Sequence, residues 1–152
     1  MVGRNRRFAL ADTVQQVVGG FILAGAFVVT EEVWVLARSM STLQALVTVG
    51  IVCGIGYGAL YKADSDRDPD REQEVGGIPL RFVSLILVSY ASVVVLVLVF
   101  DAPWTFLADL AVGGGVVLGK PVTTDLVVVT MKATTIGSVF SVIGAATADS
   151  VF

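Results

Sequence analysis

Apolar side chains in this chain gather into four long blocks, parted by short polar stretches. The blocks cover residues 14–37, 42–61, 80–100 and 126–148. Each holds the roughly 20 residues that a helix needs to cross a hydrocarbon core of about 30 Å. Within a block the apolar residues are continuous rather than alternating, which argues against the strands of a membrane barrel. The pattern therefore predicts an all-α polytopic membrane bundle of four transmembrane helices, folded as a single integral membrane domain over residues 1–152.

Two connections stand out. Residues 62–79 form a charged loop. Residues 101–125 read DAPWTFLADLAVGGGVVLGKPVTTD, and their apolar part is too short to cross comfortably and is broken by Gly113, Gly114 and Gly115. Asp101-Ala102-Pro103-Trp104 reads as a turn followed by an interfacial aromatic residue. The segment 104–119 is thus expected to be an interfacial helix or loop. A re-entrant loop lining a cavity is the sharper alternative, because irregular backbone at membrane depth survives only where protein or water covers it.

Composition supports lipid as the solvent. Only 15% of residues are charged and 55% are hydrophobic, against roughly a quarter charged in a soluble domain. The first block is too long for a signal peptide and lacks a small-residue cleavage site, so it reads as a retained span. Arg4, Arg6 and Arg7 precede it, and Lys62, Arg67, Arg71 and Arg81 flank or occupy the 62–79 loop. The opposite side carries Arg38 and Lys120. The positive-inside bias then predicts a multi-pass protein of the cell membrane with both termini cytoplasmic.

Several chemistries find no footing. Cys53 is the single cysteine, so no intrachain disulfide can form. The chain has no histidine, which removes the usual zinc ligand and the side chain best suited to proton transfer near neutral pH. Basic residues are too few and dispersed for a nucleic-acid surface. Asp64, Asp66, Asp68 and Asp70 alternate as calcium ligands do, but neither register supplies the glycine and glutamate of an EF-hand loop. No catalytic constellation, metal site or cofactor site emerges, and the expectation is a protein that is not an enzyme. No internal repeat supports an inverted-repeat transporter. Four short-looped helices make a thin bundle, for which a homo-oligomer is the natural expectation.

Two charged features interrupt the apolar blocks. Glu31 and Glu32 lie in VVTEEVWVLAR. The purely apolar or small run from Val17 to Thr30 spans only about 21 Å, short of the core thickness. A helix through this block must recruit Thr13, Gln15 and Gln16 at its inner end or carry both glutamates into the outer third of the membrane. Trp34 suggests the outer headgroup belt, with Arg38 as an anchor. An intramembrane carboxylate is a functional candidate by default, against the alternative of a hydrated pair bridged to Arg38. Lys132, nearly two turns into the last block, would sit at similar depth, so an ion pair with the glutamates is expected as either a structural or a gating contact. Thr134, Thr135, Ser138 and Ser141 follow it with hydroxyl groups. Glu32, Glu31, Lys132, Thr134 and Thr135 are the candidate pathway for a small inorganic ion or a proton.

Small residues at four-residue spacing mark close helix packing. Gly50, Gly54 and Gly58 form such a face on the second block, and Gly137, Ser141 and Ala145 repeat it on the last. Tyr57, Tyr61 and Tyr90 are interface anchors or buried hydroxyl partners.

The stretch GGFILAGAFVVTEEVW, with Thr30, Glu32 and Trp34, resembles the first-helix pattern of a family of uncharacterised prokaryotic integral membrane proteins. That family is well represented in halophilic archaea and catalogued as a domain of unknown function. SVIGAATADS near the C-terminus resembles its small-residue ending. In the family pattern a methionine precedes the glutamate, so Glu32 matches and Glu31 departs. Prolines typical of the first and last helices are replaced near Ala26 and Phe140, which puts a kink there in doubt. The resemblance implies a small multi-span membrane protein, prefers Glu32 over Glu31, and supplies no activity.

The functional expectation is a small oligomeric channel or transporter for cations or protons in the lipid bilayer. The alternative is a structural or accessory membrane subunit whose buried charges fix helix pairing.

Overall fold

A computed structural model describes residues 10–61 and 73–151 of the chain. The first apolar block does not run through as one helix. Helix α1 spans Leu10–Val28 and a second, short helix α2 spans Glu31–Ser39. The break falls after a β-branched pair, Val28-Val29. Thr30 is extended there (φ −99°, ψ 136°), and its backbone N–H and its hydroxyl both donate to the Phe27 carbonyl, at 3.2 and 2.9 Å. The open carbonyl of Val28 accepts a 3.0 Å bond from the indole Nε1 of Trp34. A helix end that leaves carbonyls unsatisfied needs such partners. Its 19 residues reach about 28 Å, long enough for α1 to cross alone, with Asp12 and Gln16 inside its length and Glu31 and Glu32 beyond its end.

The rest of the chain alternates direction. Helix α3 spans Thr42–Tyr61; a two-residue hairpin, β1 (Glu74–Val75) with β2 (Ile78–Pro79), leads into α4, Leu80–Val99. The connection that follows is built from a five-residue helix α5 (Ala102–Phe106), a 3-10 turn (Ala108–Ala111), and an antiparallel hairpin of β3 (Gly115–Val117) and β4 (Lys120–Val122). Helix α6 then runs unbroken over Thr124–Val151. Four helices, α1, α3, α4 and α6, are long and apolar enough to cross a membrane. Residues 104–119 supply no fifth span. The acidic positions Asp64, Asp66, Asp68 and Asp70 lie outside the described residues.

Helix α6 is the centre of the bundle, in contact with α1, α2, α3 and α4. Small residues make this possible. A Cβ added at Gly19 would overlap the Gly144 carbonyl, and one added at Gly144 would overlap the Gly19 carbonyl, so α1 and α6 meet backbone to backbone. Gly137 abuts Val93, while Ser141 and Ala145 are buried. Neither α1 nor α6 breaks at Ala26 or Phe140, and Phe140 instead stacks on Phe27 with ring centroids 3.5 Å apart.

The glycine face expected on α3 points elsewhere. Nothing lies within 4 Å of a Cβ placed at Gly50, Gly54 or Gly58, whereas Gly56 is pressed by Val142, Ile86 and Leu85. Spacing alone cannot say which side of a nearly uniform apolar helix turns inward. The contact is decided by the one register that seats Val52, Gly56 and Leu60 against α4 and α6. Tyr61 is likewise buried, with the Tyr57 ring 5.2 Å away, rather than displayed at a boundary.

A buried charge cluster as candidate functional site

The buried charges lie at the end of the bundle where α1 and α4 begin and α6 ends. Arg81 sits in the first turn of α4 and Asp149 in the last turn of α6. Each is misplaced against its own helix dipole, which favours anions at the N-terminus and cations at the C-terminus. They are placed for each other. Arg81 Nη1 donates to both carboxylate oxygens of Asp149 at 2.9 Å. Its Nη2 donates to Asp12 Oδ2 of α1 at 3.1 Å. Gln16, one turn along α1 from Asp12, donates from Nε2 to Asp149 Oδ1 at 3.1 Å and accepts from the Ser84 hydroxyl of α4 at 2.8 Å. Exposure is 6% at Arg81, 3% at Asp149 and nil at Gln16. One guanidinium thus ties three helices together through charge-assisted bonds, the stronger kind of hydrogen bond.

From this cluster a column of hydroxyls follows α4 and α6 into the bundle. Ser89, Ser92, Thr134, Thr135, Ser138 and Ser141 are all buried. Ser141 donates across to the Gly20 carbonyl of α1 at 3.2 Å, and a Cβ at Gly20 would come within 3.1 Å of the Ser92 hydroxyl. Three turn back on their own helix: Ser89 to Leu85, Thr135 to Met131 and Ser138 to Thr134 carbonyls, at 2.7, 3.0 and 2.8 Å. Such bonds satisfy the hydroxyl without committing it to a neighbour.

Glu31, Glu32 and Lys132 do not form a cluster. Both glutamates are exposed in the first turn of α2, where the helix dipole stabilises them. Neither has an ion-pair partner among the described residues. Lys132 donates instead to the Met40 carbonyl at 2.6 Å, closing the end of α2 from the side of α6. Trp34, expected in the headgroup belt, is only 1% exposed and stacks on Phe106 at 5.6 Å. Arg38 reaches Asp109 in an ion pair and donates to the Phe106 carbonyl at 3.2 Å. That pair is open to solvent. The hydrogen bond from Arg38 holds the Asp109 carboxyl below its ordinary range, and the same bond raises Arg38.

Sequence reasoning passed over Asp12, Gln16 and Asp149 as site residues and took Arg81 only as a marker of orientation. A signal was present. Asp12 and Gln16 are four apart and share a helix face, while Arg81 and Asp149 are the wrong sign for the helix ends that carry them.

The helices and their buried charges define a polytopic α-helical membrane protein organised around one ion-paired junction. The chain belongs to the DUF2391 family of integral membrane proteins, a domain of unknown function, whose model matches residues 3–149. No curated protein and no solved structure matches it.

Proposed function

We propose that this protein is a small transport protein for protons or cations, with the Asp12–Arg81–Asp149 junction as its charged gate. It is read as a homo-oligomer in the cell membrane, the junction end facing the cytoplasm, and not as an enzyme. The observation that supports the reading is the near-complete burial of Arg81 and Asp149 inside a membrane bundle. Apolar packing would join three helices at lower cost than a desolvated ion pair, and ionisable groups inside a membrane protein mark ion and proton paths more often than mere contacts. Glu32 and Lys132 keep a place in the reading as entry groups at the other end, with the hydroxyls of α6 lying between them and the junction.

The test is ion flux from liposomes holding the purified chain, under proton, sodium, potassium and chloride gradients. Asp149→Asn and Arg81→Gln are expected to change flux at least tenfold, and Glu32→Gln and Lys132→Met by less. Flux indifferent to Asp149→Asn and Arg81→Gln in folded protein would overturn the assignment.

A second reading has its own support. The hydroxyls of Ser89, Thr135 and Ser138 bond to their own helices, and α1 meets α6 backbone to backbone, as in a bundle built only to pack. An accessory subunit of that kind is silent under every gradient and loses its assembly when Arg81 is neutralised.

A further inference from the structure

At the end away from the charge junction, a cavity of about 640 Å³ lies between α4 and α6, under the β3–β4 hairpin. Its size falls in the range of about 300–1,000 Å³ typical of ligand pockets. Val94 and Leu98 of α4, Val127 and Met131 of α6, and Val117 and Leu118 of the hairpin give it almost wholly apolar walls. Val94, Leu98, Val127 and Met131 are themselves exposed, so the cavity opens sideways from the bundle, toward whatever surrounds the spans. Its length is informative. From Tyr90 to Leu98 on α4 is about 12 Å, and from Leu126 to Thr135 on α6 about 14 Å, close to half of a hydrocarbon core of about 30 Å. The groove is one leaflet deep.

Its mouth has the chemistry of a membrane boundary. Trp104 donates from Nε1 to the Pro121 carbonyl at 2.8 Å, and the Lys120 ammonium lies 4.8 Å above its ring while paired with Asp101. Tryptophan and lysine are the residues that anchor spans at headgroup level. The hairpin tip beside them is apolar against its own geometry. Leu118 and Gly119 have φ of 51° and 78°, the pair of positive values that a two-residue turn ordinarily meets with Asn-Gly or Asp-Gly. A leucine is strained at such a position, yet Leu118 is 96% exposed and packs on nothing that would offset the strain. Val112, Val116 and Val117 are exposed with it.

We infer that this groove holds one acyl chain of a phospholipid from the adjoining leaflet, with the hairpin tip seated in the same leaflet and the headgroup beside Trp104 and Lys120. Depth match, lateral opening, apolar walls and the aromatic-cationic mouth select this occupant over a water-soluble ligand. Asp101 already neutralises Lys120, so the chain rather than the headgroup charge sets the affinity. Phosphatidylcholine and phosphatidylglycerol are expected to bind within about tenfold of each other.

The experiment is native mass spectrometry of the full chain after detergent washing, together with quenching of Trp104, read in a Trp34→Phe background, in nanodiscs of phosphatidylcholine brominated near the headgroup end of its chains. The wild type is expected to retain one phospholipid per chain, and the groove-filled variant Val94→Phe/Val127→Phe to retain at least tenfold less. Leu118→Asn touches no core residue and suits the turn, and it should weaken Trp104 quenching while leaving the fold intact. Equal lipid retention in the wild type and the filled variant would overturn the site. If the filled variant does not fold, quenching unchanged by Leu118→Asn does the same. The site stands or falls independently of the transport reading.

Discussion

The two ends of this bundle solve the same electrostatic problem in opposite ways. At one end Arg81 meets Asp149 and Asp12 in a dry junction of three spans. At the other, Arg38 meets Asp109, and Lys120 meets Asp101, in the open. The pairs look alike as chemistry. They differ in what happens when one partner is removed. A stranded charge in the dry junction has nowhere to find a substitute, whereas at the open end water takes the vacated place. Location, rather than the identity of the paired groups, decides how much the loss of one partner costs.

The largest expected effect breaks the comparison at the dry end. Asp149→Ala or Arg81→Ala should lower stability by about 3–5 kcal/mol, as loss of one buried partner does elsewhere. The double change Arg81→Met/Asp149→Leu should recover part of it, the remainder being the cost of leaving Asp12 and Gln16 without their partners, and thermal unfolding in detergent reads both. A full-sized loss in the double variant would mean that the junction's worth lies in pairing that apolar packing cannot replace.

Glycines sharpen the contrast next. Gly144→Ala forces α6 off α1 and should cost about 1–3 kcal/mol, as overpacking does. Gly54→Ala meets open space and should be neutral, or stabilising by up to about 1 kcal/mol through helix propensity. Should the exposed face of α3 be covered by a second copy of the chain, Gly54→Ala would instead disrupt the oligomer, seen as a change in mass by light scattering.

Trp34→Phe keeps most of the ring and removes the bond to the Val28 carbonyl, a loss of about 1–3 kcal/mol for a buried acceptor left unmade. The α1–α2 break should loosen with it, detected as faster hydrogen exchange at residues 29–34.

The smallest effect belongs to the open clasp. Asp109→Asn should leave the unfolding midpoint at neutral pH nearly unchanged. Because Arg38 lowers the Asp109 carboxyl from its ordinary value of 3.8, the clasp is fully present above that value and is lost as pH falls through the lower, folded one. High salt should weaken it at any pH. A large effect at neutral pH would show that this end too is shielded from water.

How far the residues announce this arrangement varies along the chain. Thr42–Tyr61 and the start of α4 at Leu80 are readable from hydropathy alone, because a block bounded by polar residues leaves one way to span. The break at Val29-Thr30 is not, since the apolar pattern runs straight through it and bonds from Thr30 and the Trp34 indole make an early helix end tolerable. Glu31 and Glu32 stand out in the sequence as charges inside an apolar block, whereas Asp12 and Asp149 lie at block edges, where polar residues usually mean water. The last of these lies in SVIGAATADS, a stretch read for its small residues rather than for its carboxylate.

The sequence by itself determined the class of protein, the number of long apolar helices and, α1 apart, their approximate bounds. These follow from transfer of apolar surface into lipid, a sum over residues that needs no knowledge of neighbours. Tertiary structure alone decided which charges are buried and paired, which glycines pack, and which helix stands at the centre. Those outcomes depend on contacts between segments as far apart as Asp12, Arg81 and Asp149, and on a single turn of register in each span. A one-dimensional pattern of apolar and polar positions carries neither.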